Sequence, residues 1–345
     1  MTEIKSLNFD ELNNELLSLG LPKFRTGQIF SWLHEKGVMS FDEMSNLSKD
    51  LRQKLSEKYY IAPLCIEEKY VSKIDSTVKY LFRLGDDEYI ESVVMKYKYG
   101  YTICVSSQVG CKMGCNFCAS TLAGFQRNLL ASELESQIHI AQRDLGIRIS
   151  HIVLMGIGEP LDNYDNVIKF LRNVNDKRGL NISLRDVTLS TCGIVPKIYD
   201  LIDEKMPITL TLSLHAPNDE IRSKMMPVNN KWCVDEAIKA CRQYALSTGR
   251  RVSFEYTLIN GVNDTYECAR QLADKLRGFI CHVNLIPVND VKERGNVRSS
   301  DMTIKKFKDT LCSMGINATI RRTLGADINA SCGQLRRRKK DGDAN

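Results

Sequence analysis

The sequence lacks any long uninterrupted run of apolar residues. A helix that crosses a membrane needs about 20 consecutive apolar residues, so we expect no membrane span. The N-terminal stretch MTEIKSLNFDELNNELL is acidic and amphipathic, and it lacks the basic start and apolar centre of a signal peptide. We therefore expect a cytoplasmic protein that has no membrane partner.

Cysteine density and net charge are also low. Twelve cysteines in 345 residues are too few for a small secreted domain held by disulfides. Six of them are scattered singly, and we expect these to be buried thiols: Cys65, Cys233, Cys241, Cys268, Cys281 and Cys312. The formal charge of +6 is a small surplus, which alone does not identify a nucleic-acid partner.

Three other cysteines form a compact motif, CKMGCNFC, in which Cys111, Cys115 and Cys118 have the spacing C-x3-C-x2-C. Thiolates select zinc, copper(I) or iron–sulfur clusters. A structural zinc site usually has two spaced pairs of ligands, whereas the next cysteine here is Cys192. Three thiolates can hold three irons of a [4Fe-4S] cluster and leave the fourth iron open. The alternatives are a partial zinc knuckle and three incidental loop cysteines.

Residues 1–60 are predicted to form short helices. Asn8 and Ser48 are expected to cap two of them, and residues 40–43 form a capping box. Basic residues are interleaved with Phe24 and Trp32, namely Lys23, Arg25, Lys36, Lys49, Arg52, Lys54 and Lys58. Such a surface suits contacts with an RNA backbone, and a packing domain with a solvated charged face is an equally good interpretation.

From residue 61 the pattern predicts a β-hairpin and then a strand that leads towards the cysteine motif. Further on, apolar strands alternate with helices. The strands are predicted at 151–155, 187–190, 208–214, 252–258 and 283–286, and the helices between and after them at 164–175, 195–203, 219–225, 234–247, 265–277 and 303–314. Together with the strand before Cys111 they make six βα units with a buried parallel sheet. Six units are too few for a closed eight-stranded barrel, so we predict an α/β fold with a partial (β/α)6 barrel.

Polar residues stand at the ends of several of these strands. Glu159 follows the second strand in MGIGEP, Ser190 ends the third, Ser213 and His215 end the fourth, and Asn289 follows the sixth. The carboxyl ends of parallel strands share one rim of a barrel, where active sites are built. The pattern predicts a pocket for a polar, nucleoside-like ligand, although each residue alone is equally compatible with a turn.

The last distinctive segment is GADINASCGQL, at residues 325–335. Cys332 stands there between a serine and a glycine, soon after the strand-like NATIRRT. This setting makes Cys332 a candidate exposed and reactive thiol, with an ordinary loop cysteine as the alternative.

Ordered motifs along the chain resemble those of the RlmN family, within the radical S-adenosylmethionine (SAM) superfamily. The motifs are CVSSQVGC, GCNFCAS, FQRNL, GIGEPLDNYDNV, LSTCGIVP, LSLHAPND, MPVN, VNLIPVN and SCGQL, and they extend over about residues 90–335. The related Cfr type, which methylates C8 of the same ribosomal adenine, has GEAL where this chain has Gly158-Glu159-Pro160-Leu161. The resemblance therefore favours methylation at C2, with C8 methylation as the alternative.

The resemblance implies a role for each matching residue. Cys111, Cys115 and Cys118 would ligate a [4Fe-4S] cluster whose open iron chelates SAM. Cys332 would carry a methyl group, and Cys104 would later form a disulfide bond with it. Glu91 would accept a proton. The family's SAM-contacting positions are matched by Gly158, Glu159, Ser190, Ser213, Leu214, His215 and Asn289.

The resemblance also implies an activity and partners. Members methylate C2 of adenine 2503 in 23S ribosomal RNA and of adenine 37 in tRNA, through a methyl-cysteine and a 5′-deoxyadenosyl radical. Two SAM molecules are used per turnover. The implied partners are 23S rRNA, tRNA, a flavodoxin- or ferredoxin-like electron donor and a thiol reductant, and we expect a monomer. Contacts with the RNA backbone are predicted for Arg127, Arg321, Arg322 and the basic residues of the N-terminal helices.

The expected organisation has four parts. Residues 1–60 form an RNA-binding helical accessory domain, residues 61–96 a β extension, residues 97–335 the radical SAM core with its cysteine segment, and residues 336–345 a charged tail. Two interpretations compete with an enzyme. One is an RNA-binding module with a structural zinc, and the other is an iron–sulfur electron carrier, which leaves Glu159, Ser213 and Cys332 without a function.

Overall fold

The computed structural model describes residues 1–288 and 295–328. Its N-terminal part is helical, with α1 at Phe9–Ser18, α2 at Phe24–Phe30 and α3 at Lys49–Lys58. Helix α1 begins where the sequence predicts because Asn8 and Glu11 form a capping box: the Asn8 side chain accepts from the Glu11 N–H at 2.9 Å, and the Glu11 carboxylate accepts from the Asn8 N–H at 3.0 Å. The Ser48 hydroxyl caps α3. These helices share a hydrophobic cluster formed within residues 4–61.

Most of the remaining chain is organised around one ten-stranded sheet. In chain order the strands are β1 (Thr2–Glu3), β2 (Tyr59–Tyr60), β3 (Leu64–Val71), β4 (Val78–Leu84), β5 (Tyr89–Tyr97), β6 (Gly100–Cys104), β7 (Gln108–Val109), β8 (Arg127–Asn128), β9 (Ile149–Leu154), β10 (Val187–Thr191), β11 (Thr209–Ser213), β12 (Val252–Leu258), β13 (Cys281–Pro287) and β14 (Ala318–Ile320). The large sheet has the order β14-β13-β12-β11-β10-β9-β6-β5-β4-β3. Strands β1 and β2 pair with each other, and so do β7 and β8.

Helices alternate with the strands from β8 onward. They are α4 (Ala131–Leu145), α5 (Tyr164–Asn175), α6 (Val195–Asp203), α7 (Asp219–Met225), α8 (Val234–Thr248), α9 (Tyr266–Leu276) and α10 (Asp301–Ser313). The predicted segments 164–175, 195–203 and 219–225 coincide with α5, α6 and α7. Helix α4 ends at Gly146 because glycine adopts the left-handed conformation there with φ of 62°.

The six predicted parallel strands are β6, β9, β10, β11, β12 and β13, and each pairs in parallel with the next. Strand β14 adds a short seventh parallel strand beside β13. Over the described residues no pairing joins β14 to β3, so the sheet stays open at this side. The predicted fold class, an α/β fold with a partial barrel, is confirmed.

The β extension differs from the prediction in one respect. The sequence treats residues 71–84 as one arm of a hairpin, whereas the structure divides them between the end of β3 and β4. A turn separates the two strands because side chains satisfy its backbone: the Ser72 hydroxyl accepts from the Ile74 N–H at 3.1 Å, and Asp75 accepts from the Thr77 N–H at 3.0 Å. The extension therefore has three antiparallel strands, β3, β4 and β5.

The scattered cysteines are only partly buried. Cys241, Cys268 and Cys281 are buried as predicted, whereas Cys65 and Cys312 are exposed. The prediction is wrong for Cys65, which lies on the edge strand β3, and for Cys312, which is on the exposed face of α10; Cys233 is only partly buried. Among the described helices, none combines the length and the apolar character that crossing a membrane requires.

Buried polar contacts hold the N-terminal helices on α4. The Lys5 ammonium donates to the Ser136 hydroxyl at 2.9 Å. His34 Nδ1 lies 2.9 Å from the Glu135 carboxylate, and His139 Nε2 lies 3.1 Å from the His34 backbone oxygen. Burial lowers the pKa of His139 well below its usual value, so this ring is neutral. These contacts therefore fix one position of the N-terminal helices on α4, because any other position would leave buried polar groups without partners.

Candidate functional site

A cavity of about 200 Å³ lies at the carboxyl ends of the parallel strands. Its lining includes Cys111, Cys115 and Cys118, together with five of the predicted SAM-contacting residues: Gly158, Glu159, Ser190, Ser213 and His215. The structure thus brings together a loop that follows β7 and the ends of β9, β10 and β11. This is the rim where a barrel of parallel strands builds its active site.

The three cysteines lie on the loop between β7 and β8. Helix α7 holds this loop, because the Asn116 N–H donates to the Met225 backbone oxygen at 2.9 Å and the Asn116 side chain donates to that of Lys224 at 3.0 Å. Burial raises the pKa of the Cys111 thiol to about 12, and it also raises the pKa of Cys115. Thiolates here need a compensating positive charge, which bound iron supplies.

The three cysteines suit a [4Fe-4S] cluster, because all of them line one cavity. Within residues 1–288 and 295–328, no three His, Cys, Asp or Glu side chains converge closely enough to hold one ion. A zinc ion needs every ligand atom within about 2.0–2.3 Å of one centre. A [4Fe-4S] cluster instead takes each thiolate on a separate iron, so its cysteines line a cavity without meeting at one point. Cys111, Cys115 and Cys118 all line this cavity.

The segment MGIGEP passes close to the backbone that leads into the cysteine loop. A Cβ atom on Gly156 would lie 2.6 Å from the Val105 backbone oxygen, and one on Gly158 would lie 2.6 Å from Gln108 Cβ. Gly158 also has φ of 106°, which side chains rarely allow. The Glu159 N–H donates to Gln108 Oε1 at 2.9 Å. Both glycines are therefore required to place Glu159 at the cavity.

The Glu159 carboxylate is held at both oxygens. Oε1 accepts from the Leu161 N–H at 3.0 Å, and Oε2 accepts from the Cys192 N–H at 2.7 Å. Burial raises the pKa of Glu159, while these hydrogen bonds act in the opposite direction. The carboxylate is therefore rigid and retains acceptor capacity for a charged donor such as an ammonium group.

Arg222 ties together the two strand ends that carry the serines. It is fully buried, and its guanidinium donates to the backbone oxygens of Cys192 at 2.7 Å, Ser213 at 3.1 Å and Leu214 at 3.0 Å. The hydroxyl oxygens of Ser190 and Ser213 lie 3.2 Å apart. Sequence reasoning missed Arg222, because nothing in its local sequence distinguishes it from a surface arginine of a short helix.

His215 is fixed by its backbone and its ring. Its φ is 59°, and the Asn263 side chain donates to its backbone oxygen at 2.7 Å. The Thr257 N–H donates to Nδ1 at 2.9 Å, so the ring proton is on Nε2. Burial and the Arg222 charge lower the pKa of His215 to about 3, so the ring is neutral. Phe117 of the cysteine motif packs edge-on against it, with ring centroids 4.8 Å apart.

Cys104 and Glu91 lie on one face of the sheet. Cys104 ends β6 opposite Val93 of β5, and the two pack in one buried cluster. Glu91 is two residues from Val93 and therefore shares its face. Lys79 of β4 also lies opposite Val93, and its ammonium is 2.9 Å from the Glu91 carboxylate, with both side chains fully buried. Sequence reasoning singled out Glu91 but not its partner Lys79.

Three other predicted site residues are not among those that line the described cavity. Leu214 is not among the described residues that line the cavity, and its side chain lies in the main core. Asn289 and Cys332 lie outside the described residues. Within the described chain no two cysteines form a disulfide. The Cys104–Cys332 pair includes a residue outside that part, so it stays a prediction.

Glu255 of β12 also lines the cavity, and sequence reasoning missed it. It is 4% exposed, and its Oε1 accepts from the Asn284 side chain at 2.9 Å. The signal was a single carboxylate inside VSFEYTL, which is otherwise the pattern of a fully buried strand. A buried acid in such a strand needs a partner or a function.

The basic residues proposed for RNA contacts fall into two groups. Arg127 pairs with Asp86 at 2.6 Å and with Glu133 at 2.8 Å, so its guanidinium is engaged within the protein. In the N-terminal helices, Arg25 stacks on the exposed ring of Phe24, and the Lys36 ammonium lies 3.5 Å from the centre of the Trp32 ring. This part presents cations beside aromatic faces, which suits contact with nucleic acid.

The fold and the cysteine-lined cavity define the class of protein. Residues 105–273 match the model of the radical SAM superfamily. Residues 2–61 match a second model, the ribosomal RNA large subunit methyltransferase N-terminal domain. The chain is thus a radical SAM protein with a helical N-terminal unit of a known type.

Individual relatives match nearly the whole chain. A probable dual-specificity RNA methyltransferase RlmN from Lachnospira eligens is 55% identical over 97% of this chain and 96% of its own length. A protein of the same description from Alkaliphilus oremlandii is 56% identical over 97% and 98%. The crystal structure of a radical SAM methyltransferase from Sphaerobacter thermophilus is 41% identical with a TM-score of 0.92, covering 97% of this chain and 99% of that one. The chain belongs to the RlmN family.

Proposed function

We propose that this chain is a radical SAM RNA methyltransferase that adds a methyl group to C2 of an adenine. The RNA targets are adenine 2503 of 23S ribosomal RNA and adenine 37 of tRNA. The observation that carries the proposal is the cavity in which three cysteines, the Glu159 carboxylate and the polar ends of two further strands meet. Near full-length relatives described as dual-specificity RNA methyltransferases support it.

Cys111, Cys115 and Cys118 would hold a [4Fe-4S] cluster in this cavity. These residues would hold the cluster with one iron open to SAM, and the chemistry supplied there would be one-electron, reductive cleavage of SAM. Glu159 holds the amino group of SAM, because its carboxylate is rigid and faces the cavity. Gly158, Ser190, Ser213, His215 and Asn289 complete the contacts, and Leu214, whose side chain lies in the main core, holds the Ser213 and His215 segment in place. The neutral His215 ring presents an Nε2–H donor.

Cys332 carries the methyl group in two stages. Its thiolate displaces S-adenosylhomocysteine from one SAM and becomes an S-methyl group. A hydrogen atom then leaves this methyl group and gives 5′-deoxyadenosine, and the resulting methylene adds to C2 of the adenine. The adduct would return one electron to the cluster, which SAM cleavage had left oxidised, and C2 loses its proton to the Glu91 carboxylate. A thioether then joins the enzyme to the RNA.

Cys104 releases the product. Its thiolate attacks Cys332 sulfur, the sulfur–carbon bond breaks, and its electron pair stays with the methylene carbon, which takes up a proton to become the methyl group. The Cys104–Cys332 disulfide is then reduced by a thiol reductant. Two SAM molecules are used in each turnover, and a flavodoxin- or ferredoxin-like protein supplies the electron. In this proposal the protein is a monomer and acts in the cytoplasm.

RNA contacts are assigned to the N-terminal unit, residues 1–60, which precedes the β extension, residues 61–96, and the core, residues 97–335. The exposed Phe24 ring, the partly buried Trp32 ring and their neighbouring cations support this assignment. Arg321 lines the cavity, which supports a contact between its guanidinium and a phosphate near the target base.

The test is product analysis with cysteine variants. After anaerobic reconstitution with iron and sulfide, the protein is incubated with SAM, reductant and RNA from a methylation-deficient strain, and the nucleosides are separated by mass spectrometry. We expect 2-methyladenosine. Cys332→Ala should keep its cluster and give no methylated RNA, and Cys104→Ala should accumulate an RNA–protein adduct.

Three results would contradict the proposal. Methyl groups found at C8 would establish the alternative regiochemistry. Purified, oxygen-free protein that holds zinc and releases no 5′-deoxyadenosine would make the chain a binding module. Normal turnover by Cys104→Ala would remove that residue from product release.

A further inference from the structure

The cavity contains an acidic group that the proposed reaction does not use. Glu255 lines it from β12, the strand that follows β11 in the sheet. One carboxylate oxygen, Oε1, accepts a hydrogen bond from Asn284 at 2.9 Å. The other, Oε2, is buried and has no hydrogen-bond partner in the described part of the chain. Such an orphan oxygen is costly unless a ligand or water satisfies it.

The position of Glu255 is fixed from both sides. Its backbone oxygen accepts from the N–H groups of Leu214 at 3.1 Å and His215 at 3.2 Å, which ties β12 to the SLH segment. Across the sheet, Ser213 and Asn284 are its register partners on β11 and β13. These bonds fix the backbone of Glu255, and the hydrogen bond from Asn284 orients its carboxylate.

Nearby charges do not satisfy the free oxygen. Burial raises the pKa of Glu255, and the Arg321 guanidinium and the Asn284 hydrogen bond act in the opposite direction. Arg321 lines the same cavity, but no ion pair joins it to Glu255 among the described residues. The group thus retains acceptor capacity directed at the cavity rather than at the protein.

The polar groups of the cavity form a row. Glu159 follows β9, Ser190 lies on β10, Ser213 on β11 and Glu255 on β12, and these four strands are neighbours. Neighbouring strands are about 4.8 Å apart, so the row spans about 14 Å. A ligand whose amino group is held at Glu159 and that extends along this row reaches β12 and Glu255.

We propose that Glu255 binds a ribose hydroxyl of SAM through its free oxygen, Oε2. This inference rests on the proposed function and adds a specificity-determining contact to it. A buried carboxylate that accepts from a ribose hydroxyl is a general solution for nucleotides, because its acceptor lone pairs match the sugar's donors. The ribose hydroxyl donates a hydrogen bond to Oε2, the oxygen that Asn284 does not contact.

The experiment is a double-mutant-type cycle in which the Glu255 side chain and the ribose hydroxyls of SAM are changed separately and together. Equilibrium dialysis of anaerobic, cluster-loaded protein without RNA gives Kd for SAM and for its 2′-deoxy and 3′-deoxy analogues. The proteins are the native chain, Glu255→Gln and the conservative Glu255→Asp. Glu135→Gln serves as a matched control, since Glu135 is a buried carboxylate on α4 that contacts His34 outside the cavity.

The expected result is specific for one hydroxyl. Its removal should weaken binding to the native protein by about 10- to 100-fold, as for a hydrogen bond to a charged group. Glu255→Gln should bind SAM correspondingly less tightly, and should then lose less than about threefold on removal of that hydroxyl. Glu255→Asp should fall between the two, and Glu135→Gln should match the native protein.

Several results would overturn the inference. One is equal affinity of the native protein for SAM and both deoxy analogues, which needs no variant and so holds even if Glu255→Gln fails to fold. Another is unchanged SAM binding by Glu255→Gln with a raised KM for RNA, which would assign Oε2 to the target nucleotide. If the native protein binds no SAM at all, the proposed function fails instead, so the two failures are distinguishable.

Discussion

At the scale of single residues, the two glycines of MGIGEP limit what the site tolerates. They follow β9, where the chain passes residues 105–108. A Cβ atom on Gly156 would lie 2.6 Å from the Val105 backbone oxygen, and one on Gly158 would lie 2.6 Å from Gln108 Cβ. Their requirement is local and steric. It can therefore be separated from any role in chemistry.

We predict that Gly158→Ala destabilises the protein by about 3 kcal/mol or more, because the added Cβ is both strained at φ of 106° and overlaps Gln108. The shift of Glu159 should also weaken SAM binding. Urea unfolding and equilibrium dialysis measure the two effects.

Gly261→Ala is the matched control. Gly261 has φ of 70° with open space around its Cβ position, so the substitution should cost only about 1–2 kcal/mol. It should leave SAM binding unchanged. Equal effects of the two substitutions would show that backbone strain alone, and not the contact with Gln108, explains the requirement for Gly158.

Residue types at strand ends could be predicted from the sequence, but long-range partners could not. Glu159, Ser190 and Ser213 were identifiable because each ends a recognisable strand. Lys79 and Glu91 are 12 residues apart in sequence, and only the register of β4 against β5 makes them a buried pair. Likewise, Arg127 was predicted to contact RNA, and its pairing with Asp86 across 41 residues has no local signal.

At the scale of elements, the segment after β14 is fastened to the β3–β4 turn. Asp327 accepts from the Ser72 hydroxyl at 2.7 Å and from the Lys73 N–H at 2.9 Å. The Gly325 N–H donates to Asp75 at 2.8 Å. These bonds fix the chain five residues before Cys332, so they limit how far that residue can reach.

We predict that Asp327→Ala lowers methylation of Cys332 by roughly tenfold or more, because misplacing a reacting group by about 1 Å can cost 100-fold. Cluster content and SAM affinity should stay unchanged. Mass spectrometry of the intact protein after incubation with SAM measures the S-methyl group.

Asp301→Ala is a suitable control, since Asp301 is an exposed residue whose carboxylate contacts Arg298 on the surface. Unaltered methylation of Cys332 in Asp327→Ala would show that the anchor has no part in positioning. Loss of the cluster in that variant would point instead to a general effect on folding.

Element boundaries followed from local chemistry where capping residues were present. Asn8 and Ser48 marked the starts of two helices correctly because each acts on its own turn. The break between β3 and β4 was missed, because Ser72 and Asp75 form the turn through side-chain bonds that compete with an apparently continuous strand pattern.

At the scale of the whole molecule, two hydrophobic cores meet at a polar contact. The cluster of residues 4–61 is separate from the main core, and α4 joins them through Lys5, His34, Glu135 and His139. A contact of this kind couples the two parts only while every buried polar group has its partner.

We predict that Glu135→Ala uncouples the N-terminal helices. Loss of the carboxylate leaves His34 Nδ1 buried without this partner, which costs about 1–3 kcal/mol at the contact. Differential scanning calorimetry should show two transitions where the native protein shows one, and RNA affinity should fall if residues 1–60 bind RNA.

Glu57→Ala is the comparison, because Glu57 is an exposed residue of α3 whose carboxylate contacts only Gln53 in the described structure. It should keep a single transition. Two transitions already present in the native protein would show that the contact with α4 does not couple the cores.

The side between β14 and β3 has a mechanical consequence. Backbone hydrogen bonds join all neighbouring strands within the large sheet. Between β14 and β3, the described hydrogen bonds instead run from Ser72 and Lys73 to Asp327 and from Gly325 to Asp75. Water can replace such bonds at little cost. The side between β14 and β3 can therefore open without loss of a backbone hydrogen bond between strands. Opening at any other position in the large sheet would break such bonds.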